Sequence, residues 1–402
     1  MEPTISERTA ILGMIRKMES IQNRKIDNEQ KKWEIILSLD LSINEINQII
    51  FPGDKVSTIY DFDCHKDGIE EFESSFDTWK HYIEEIIERT LQCRNKVEAD
   101  FELLMAYLEI VNLEDLEELM KENLEKIREI NPLIYENLTR LYCLYEHFWG
   151  GLNPEKGIFD CIYQRAEVLK GHIKEWRWLF GELSDYRSKG VLYNILANWI
   201  TFNLEYLEKD SGFKDYFDLD LIPEVTEDEV FVDLGGYVGD TVEDFIHVYS
   251  AKYKRIYTYE INSQNLVLLK EKVKDYQDVV IKEKAVGEKK DVLYLDLTIG
   301  DASTTLSSEG EQEITVVSLD EDITERITWI KMDIEGSEQS ALRGARKHIA
   351  EEKPKLTICT YHSNEDIWKI PMMVKEYNPT YKLYFRYNGQ TVFPSEYVLF
   401  AL

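Results

Sequence analysis

The chain has 402 residues, 47 basic against 77 acidic, for a formal net charge of -30. That length allows two or three domains. The acid excess runs through both halves, so neither half is basic, which disfavours nucleic acid or an anionic membrane as a partner. The five cysteines, Cys64, Cys93, Cys143, Cys161 and Cys359, are scattered without a CxxC pair, which argues against a zinc site or a disulfide framework. The opening MEPTISERTAILGMIRKM has no long apolar run, and no stretch approaches the roughly 20 apolar residues of a spanning helix. The expectation is a cytoplasmic protein without a transmembrane segment.

Up to about residue 210 the apolar spacing is helical, as in Leu113, Leu116, Met120, Leu124, Ile127 and Ile130, closed by Asn131 and Pro132. The Gly and Pro cluster WGGLNPEKG at 149–157 and IPEVTEDE at 222–229 mark breaks. This predicts an all-α domain over 1–149, a helical connecting segment over 150–222, and a third region over 223–402. In that third region EVFVDLG, RIYTYE, VVIKEKAVG, TWIKMDIE and KLTICTY alternate with helical runs. Near-continuous apolar strands between helices predict a doubly wound, mostly parallel α/β sheet, with ligands at the carboxyl ends of its strands. The tail YKLYFRYNGQTVFPSEYVLFAL reads as a closing antiparallel pair, and TIGDASTTLSSEGEQ at 298–312 as a mobile loop on the strand edge.

The richest stretch is EVFVDLGGYVGDT at 229–241, an apolar strand running into Gly235, Gly236 and Gly239 before a helix. Such a turn lets backbone amides approach a ligand at a helix start. A dinucleotide fingerprint GxGxxG needs glycine where Leu234 stands, and a P-loop needs GK[ST] where Gly239 is followed by Asp240 and Thr241. Asp233 and Asp240 bracket the turn with negative charge, which repels a pyrophosphate but suits the sulfonium and ammonium of S-adenosylmethionine. Glu260 ends the next strand, at the spacing of an acid that accepts from ribose hydroxyls. The cofactor-binding candidates are therefore Asp233, Gly235, Gly236, Gly239, Asp240, Thr241, Glu260 and Asp333.

Asp333 lies in TWIKMDIEGSEQSAL at 328–342, where Lys331, Asp333 and Glu335 alternate on one face at a strand end. Tyr361 and His362, in KLTICTYHSNEDIWKIP at 355–371, stand at another strand end. Catalytic candidates are Asp333, His362 and Lys331; substrate-binding candidates are Glu335, Tyr361 and His362. YNPTY at 377–381 resembles the Asn-Pro-Pro-aromatic motif of base-methylating enzymes but lacks the second proline, and reads as a turn.

Together VFVDLGGYVGDT, YEINSQN, IKMDIEGSE with LRGA, and TYHSNEDIWKIP resemble, in order and spacing, the FkbM family of S-adenosylmethionine-dependent methyltransferases, over about residues 223–402. The resemblance implies a class I methyltransferase fold and methylation of hydroxyl oxygens of sugars or secondary metabolites. By position it implies cofactor roles for Asp233, Gly235, Gly239 and Glu260, and active-site placement for Asp333, Glu335 and His362. Many relatives read Gly-Ala-Asn where this chain has Gly236 and Tyr237. Asp333 and Glu335 as ligands of a magnesium ion rank below a metal-free mechanism, in which Asp333 or His362 is the base. The alternatives are a nicotinamide-dependent oxidoreductase and a non-catalytic binding module. The helical half is expected to recognise the acceptor or to form a homo-oligomer.

Overall fold

In the computed structural model, residues 85, 89, 92–207, 216–296, 305–307, 312–389 and 394–402 are described. Cys64 and the N-terminal stretch lie outside them, as does the expected loop at 298–312 save for its residues 305–307 and Gln312. By contact density the chain divides into two compact units, Met1–Leu116 and Glu117–Leu402.

The described part of the first half is helical. Helix α1 (Lys96–Ile110) is capped by Asn95, whose Oδ1 accepts the Glu98 amide at 3.0 Å. α2 (Leu113–Ile130) is followed directly by α3 (Pro132–Leu144), because Asn131 caps α3 and Pro132 has the fixed φ of a first helical residue. The pair that ends one helix therefore starts the next. α4 (Glu146–Trp149) stops at Gly150, where φ is +85°, and a 3-10 turn at Pro154–Lys156 completes the expected break. α5 (Asp160–Gly171), α6 (Ile173–Glu182) and α7 (Tyr186–Thr201) follow.

From Val230 the chain alternates strands and helices: β1 (Val230–Leu234), α8 (Asp240–Val248), β2 (Arg255–Tyr259), α9 (Ser263–Val273), β3 (Val279–Lys282), β4 (Ala285–Val286), β5 (Asp291–Asp296), β6 (Thr305–Ser307) and β7 (Gln312–Val317). Then come α10 (Leu319–Asp322), β8 (Trp329–Met332), α11 (Glu338–Gly344), β9 (Lys355–Cys359), α12 (Asp366–Tyr377), β10 (Leu383–Tyr387) and β11 (Tyr397–Ala401). The main sheet has the order β10-β11-β9-β8-β1-β2-β3. Only β11 runs against the rest, pairing antiparallel with both β9 and β10. The closing antiparallel strand is thus wedged into the sheet. β4, β7, β5 and β6 form a separate four-stranded sheet, so β6 stands where the sequence suggests loop.

Every residue of β1 is buried, as a central parallel strand between two helical layers requires. On one face Phe231 stacks on Phe245 at 4.5 Å, within a cluster with Phe217, Tyr249 and Trp329. β2 and β8 flank β1 on opposite sides, so the strand order reverses there. The carboxyl ends of β1 and β8 face the crevice at that switch point, where α/β sheets bind ligands.

Candidate active site

The glycine turn is built into the crevice by close packing. Gly235 has φ +85°, and a Cβ on it would lie 1.8 Å from the Asp333 carbonyl oxygen, so the ends of β1 and β8 touch backbone to backbone. Gly239 has φ +84° and caps α8. The amides of Gly235 and Gly236 both donate to the Tyr259 carbonyl, at 3.1 and 2.8 Å, and that of Gly239 to the Gly236 carbonyl at 2.8 Å. These three donors close the turn itself. Asp240 is exposed at the start of α8, with its Oδ1 accepting the Thr241 amide at 3.0 Å.

Asp233 has no exposed surface; it accepts from the Thr258 hydroxyl at 3.1 Å and faces the Lys331 ammonium at 3.0 Å. Lys331 also donates to the carbonyls of Leu234 (3.3 Å) and Gly235 (2.7 Å), and lies 4.8 Å from the centre of the Tyr216 ring. Burial opposes its charge, yet Asp233 and Asp333 hold it above the ordinary ammonium value. Lys331 therefore sits behind the turn and fixes it. The negative charge the sequence assigns to Asp233 is shared with this ammonium.

Glu260 Oε1 accepts the amides of Ile261 (2.8 Å) and Asn262 (2.7 Å), and the Tyr237 amide also bonds its carboxylate. Burial raises its pKa and these amides lower it, with burial the larger effect. Tyr237, with φ +43° and 42% exposure, projects from the turn beside it.

Past β8 lies a cluster of acids around one imidazole. Asp333 Oδ2 accepts from the Tyr216 hydroxyl at 2.6 Å, and its Oδ1 from the Tyr361 hydroxyl at 3.5 Å. His362 Nε2 is 3.5 Å from Asp333 Oδ1 and 3.6 Å from Glu335 Oε2, and its Nδ1 is 2.9 Å from Glu338 Oε1. Burial disfavours the imidazolium, but Glu338, Glu335 and Asp333 outweigh it and raise His362 to about 10. Asp333 is lowered: burial works against it, and Lys331, His362 and Tyr216 overcome that. Glu335, at φ +54°, is pushed up to about 8, mainly by burial. The cluster at neutral pH is an imidazolium between the half-buried Asp333 and the fully buried Glu338, with Glu335 largely protonated.

Residues outside the strand ends complete this site. Trp149 Nε1 donates to the Tyr361 carbonyl at 2.6 Å, Arg165 Nε to Asn364 Oδ1 at 3.3 Å, and the Phe148 ring lies 5.0 Å from the His362 ring. Sequence reasoning missed Tyr216, Glu338, Phe148 and Trp149. Glu338 alone had a local signal, as the third acid of DIEGSE. Among the described residues, Asp333, Glu338 and His362 are grouped closely enough to hold a metal ion.

The fold and this crevice define a class I methyltransferase-like architecture. Residues 233–387 match the family model of the methyltransferase FkbM domain. Among solved structures the chain is similar to methyltransferase FkbM from Methylobacillus flagellatus KT, at 26% identity and a TM-score of 0.50, covering 60% of this chain and 62% of that one. The chain thus spans about three-fifths of that protein's length. An rRNA methylase from Streptococcus thermophilus (16% identity, TM-score 0.30, 44% of this chain and 87% of that one) is more remote. So is Aeropyrum pernix fibrillarin with natively bound S-adenosyl-L-methionine (14%, 0.29, 44% and 67%). The fold assignment rests on the first of these. No curated protein matches the chain.

Proposed function

We propose that the chain is an S-adenosylmethionine-dependent O-methyltransferase acting on a hydroxyl of a sugar or secondary metabolite. The observation that carries this reading is the meeting of a glycine turn with two acid-bearing strand ends, Glu260 and Asp333, at one switch point. The FkbM match over 233–387 supports it. In this reading Glu260 takes the ribose hydroxyls, the exposed Asp240 attracts the cationic part of the donor, and Thr241 supports it at the start of α8. Gly235, Gly236 and Gly239 let the cofactor lie against the backbone.

With the donor held there, the acceptor oxygen would attack its methyl carbon in line, the C–O bond forming as the S–C bond breaks, and the hydroxyl proton would leave to a base. Of the two bases the sequence leaves open we take Asp333, because Lys331, His362 and Tyr216 keep its carboxyl low while the surrounding acids raise His362 to about 10. His362 then acts as a cation that orients the acids, with Tyr361 and Glu335 toward the acceptor. Lys331 fixes the turn from behind. The contacts of Phe148 and Trp149 with the His362 loop favour acceptor recognition as the role of the helices before β1. No helix among the described residues is long and apolar enough to cross a membrane; a cytoplasmic setting is part of the proposal.

The test is mass spectrometry of neutral glycans and small-molecule extracts incubated with methyl-labelled donor and the full chain. Label on a hydroxyl oxygen, lost in Asp333→Asn, is expected. Label on nitrogen or carbon alone would sink O-methylation. Unchanged function of the chain after Asp333→Ala and His362→Ala would instead favour a non-catalytic module.

A further inference from the structure

We propose that Asp333, Glu338 and His362 seat a divalent transition-metal ion at the edge of the crevice. One donor atom from each of the three lies within 4.8 Å of the other two. Donors held at about 2.0–2.4 Å from one ion stand at most about twice that apart, so the three can share an ion with small side-chain rotations. A second observation is independent of that spacing. Glu338 has no exposed surface; its Oε1 is taken by the Ile334 amide (2.8 Å) and by His362 Nδ1, while its Oε2 has no partner. A buried carboxylate oxygen without a partner is costly, and this one belongs to the carboxylate that already touches the imidazole.

The charges point the same way. Asp333, Glu335, Glu338 and the buried Asp366 gather around a single imidazole, and Lys331 behind them is bound to Asp233. One imidazole with two carboxylates is a mixed nitrogen and oxygen set, which suits Mn2+, Fe2+ or Zn2+ better than the all-oxygen shells of Mg2+ and Ca2+. Such an ion, held by three protein groups, would keep open positions for water. The rival occupant is the proton, which makes His362 an imidazolium. The ion's seat stands apart from the methyl-transfer reading, since ion binding is measured without donor or acceptor.

The full chain, stripped of metal by a chelator and dialysed, is titrated with Mn2+ by loss of the free-ion electron paramagnetic resonance signal, and with Zn2+ by calorimetry. Glu338→Gln and Asp333→Asn are titrated beside a surface control, Glu288→Gln, whose side chain is 57% exposed. The expected result is one site per chain in the wild type and the control, weakened at least tenfold in each site variant, with a proton released as the ion displaces it from the imidazole. Only weak multiple binding, as a net charge of -30 gives on its own, would overturn the proposal, and so would variants that bind like the wild type. If Glu338→Gln does not fold, Asp333→Asn and the wild-type stoichiometry decide.

Discussion

Lys331 shows how one buried charge can set the shape of a ligand crevice. Its ammonium pairs with Asp233 and holds the two carbonyls at the end of β1, so a single side chain fixes both the strand and the turn that follows. Lys331→Met keeps the stem but removes the partner of Asp233, whose carboxyl burial already pushes up, so that the acid must stay charged unpaired or take a proton in a site with no exposed surface. Breaking a buried pair from one side typically costs about 3–5 kcal/mol. Urea unfolding of the variant should show a loss of that size, and a change below about 1 kcal/mol would mean that Asp233 is not held as an anion.

At the level of elements, the loop after β9 carries His362 but is held by helices far earlier in the chain. Trp149, the last residue of α4, donates to the Tyr361 carbonyl. Trp149→Phe keeps an aromatic ring but loses the indole N–H and leaves that carbonyl unpaired, at a cost of about 1–3 kcal/mol to which the smaller ring in a buried site adds, and denaturant unfolding of the full chain would read the loss. A variant as stable as the wild type would count against the clamp.

The same loop shows where the sequence could be read and where it could not. The strands were legible because central parallel strands must be apolar on both faces, and Asp333 and His362 because each ends such a run. The partners of these two residues were harder to see. Glu338 is five residues beyond Asp333 on the next helix, and Tyr216 is 117 residues before the carboxylate it bonds, so no local period links them. The insertion of β11 between β9 and β10 was also hidden, because the tail shows two strands but not which neighbour each will choose.

For the molecule as a whole, the acid cluster ties stability to pH. His362 is raised in the fold from its ordinary 6.5 to about 10, so the folded state holds that proton more tightly. Its contribution is fully present below about pH 6.5 and is lost as pH rises through about 10. Glu335, raised from 4.5 to about 8, acts in the same direction over its own lower range. The thermal midpoint of the metal-free chain should therefore fall steadily between pH 6.5 and 10, and His362→Asn should flatten the upper part of that fall. A midpoint that rises over this interval would contradict the charge states assigned to the cluster.

The central claim is that the crevice between β1 and β8 takes a cationic methyl donor rather than a diphosphate. Calorimetric titration of the full chain with S-adenosylmethionine, and separately with NAD, tests it most directly. The account predicts saturable binding of one S-adenosylmethionine per chain and no binding of NAD. Saturable NAD binding with no S-adenosylmethionine binding would contradict it.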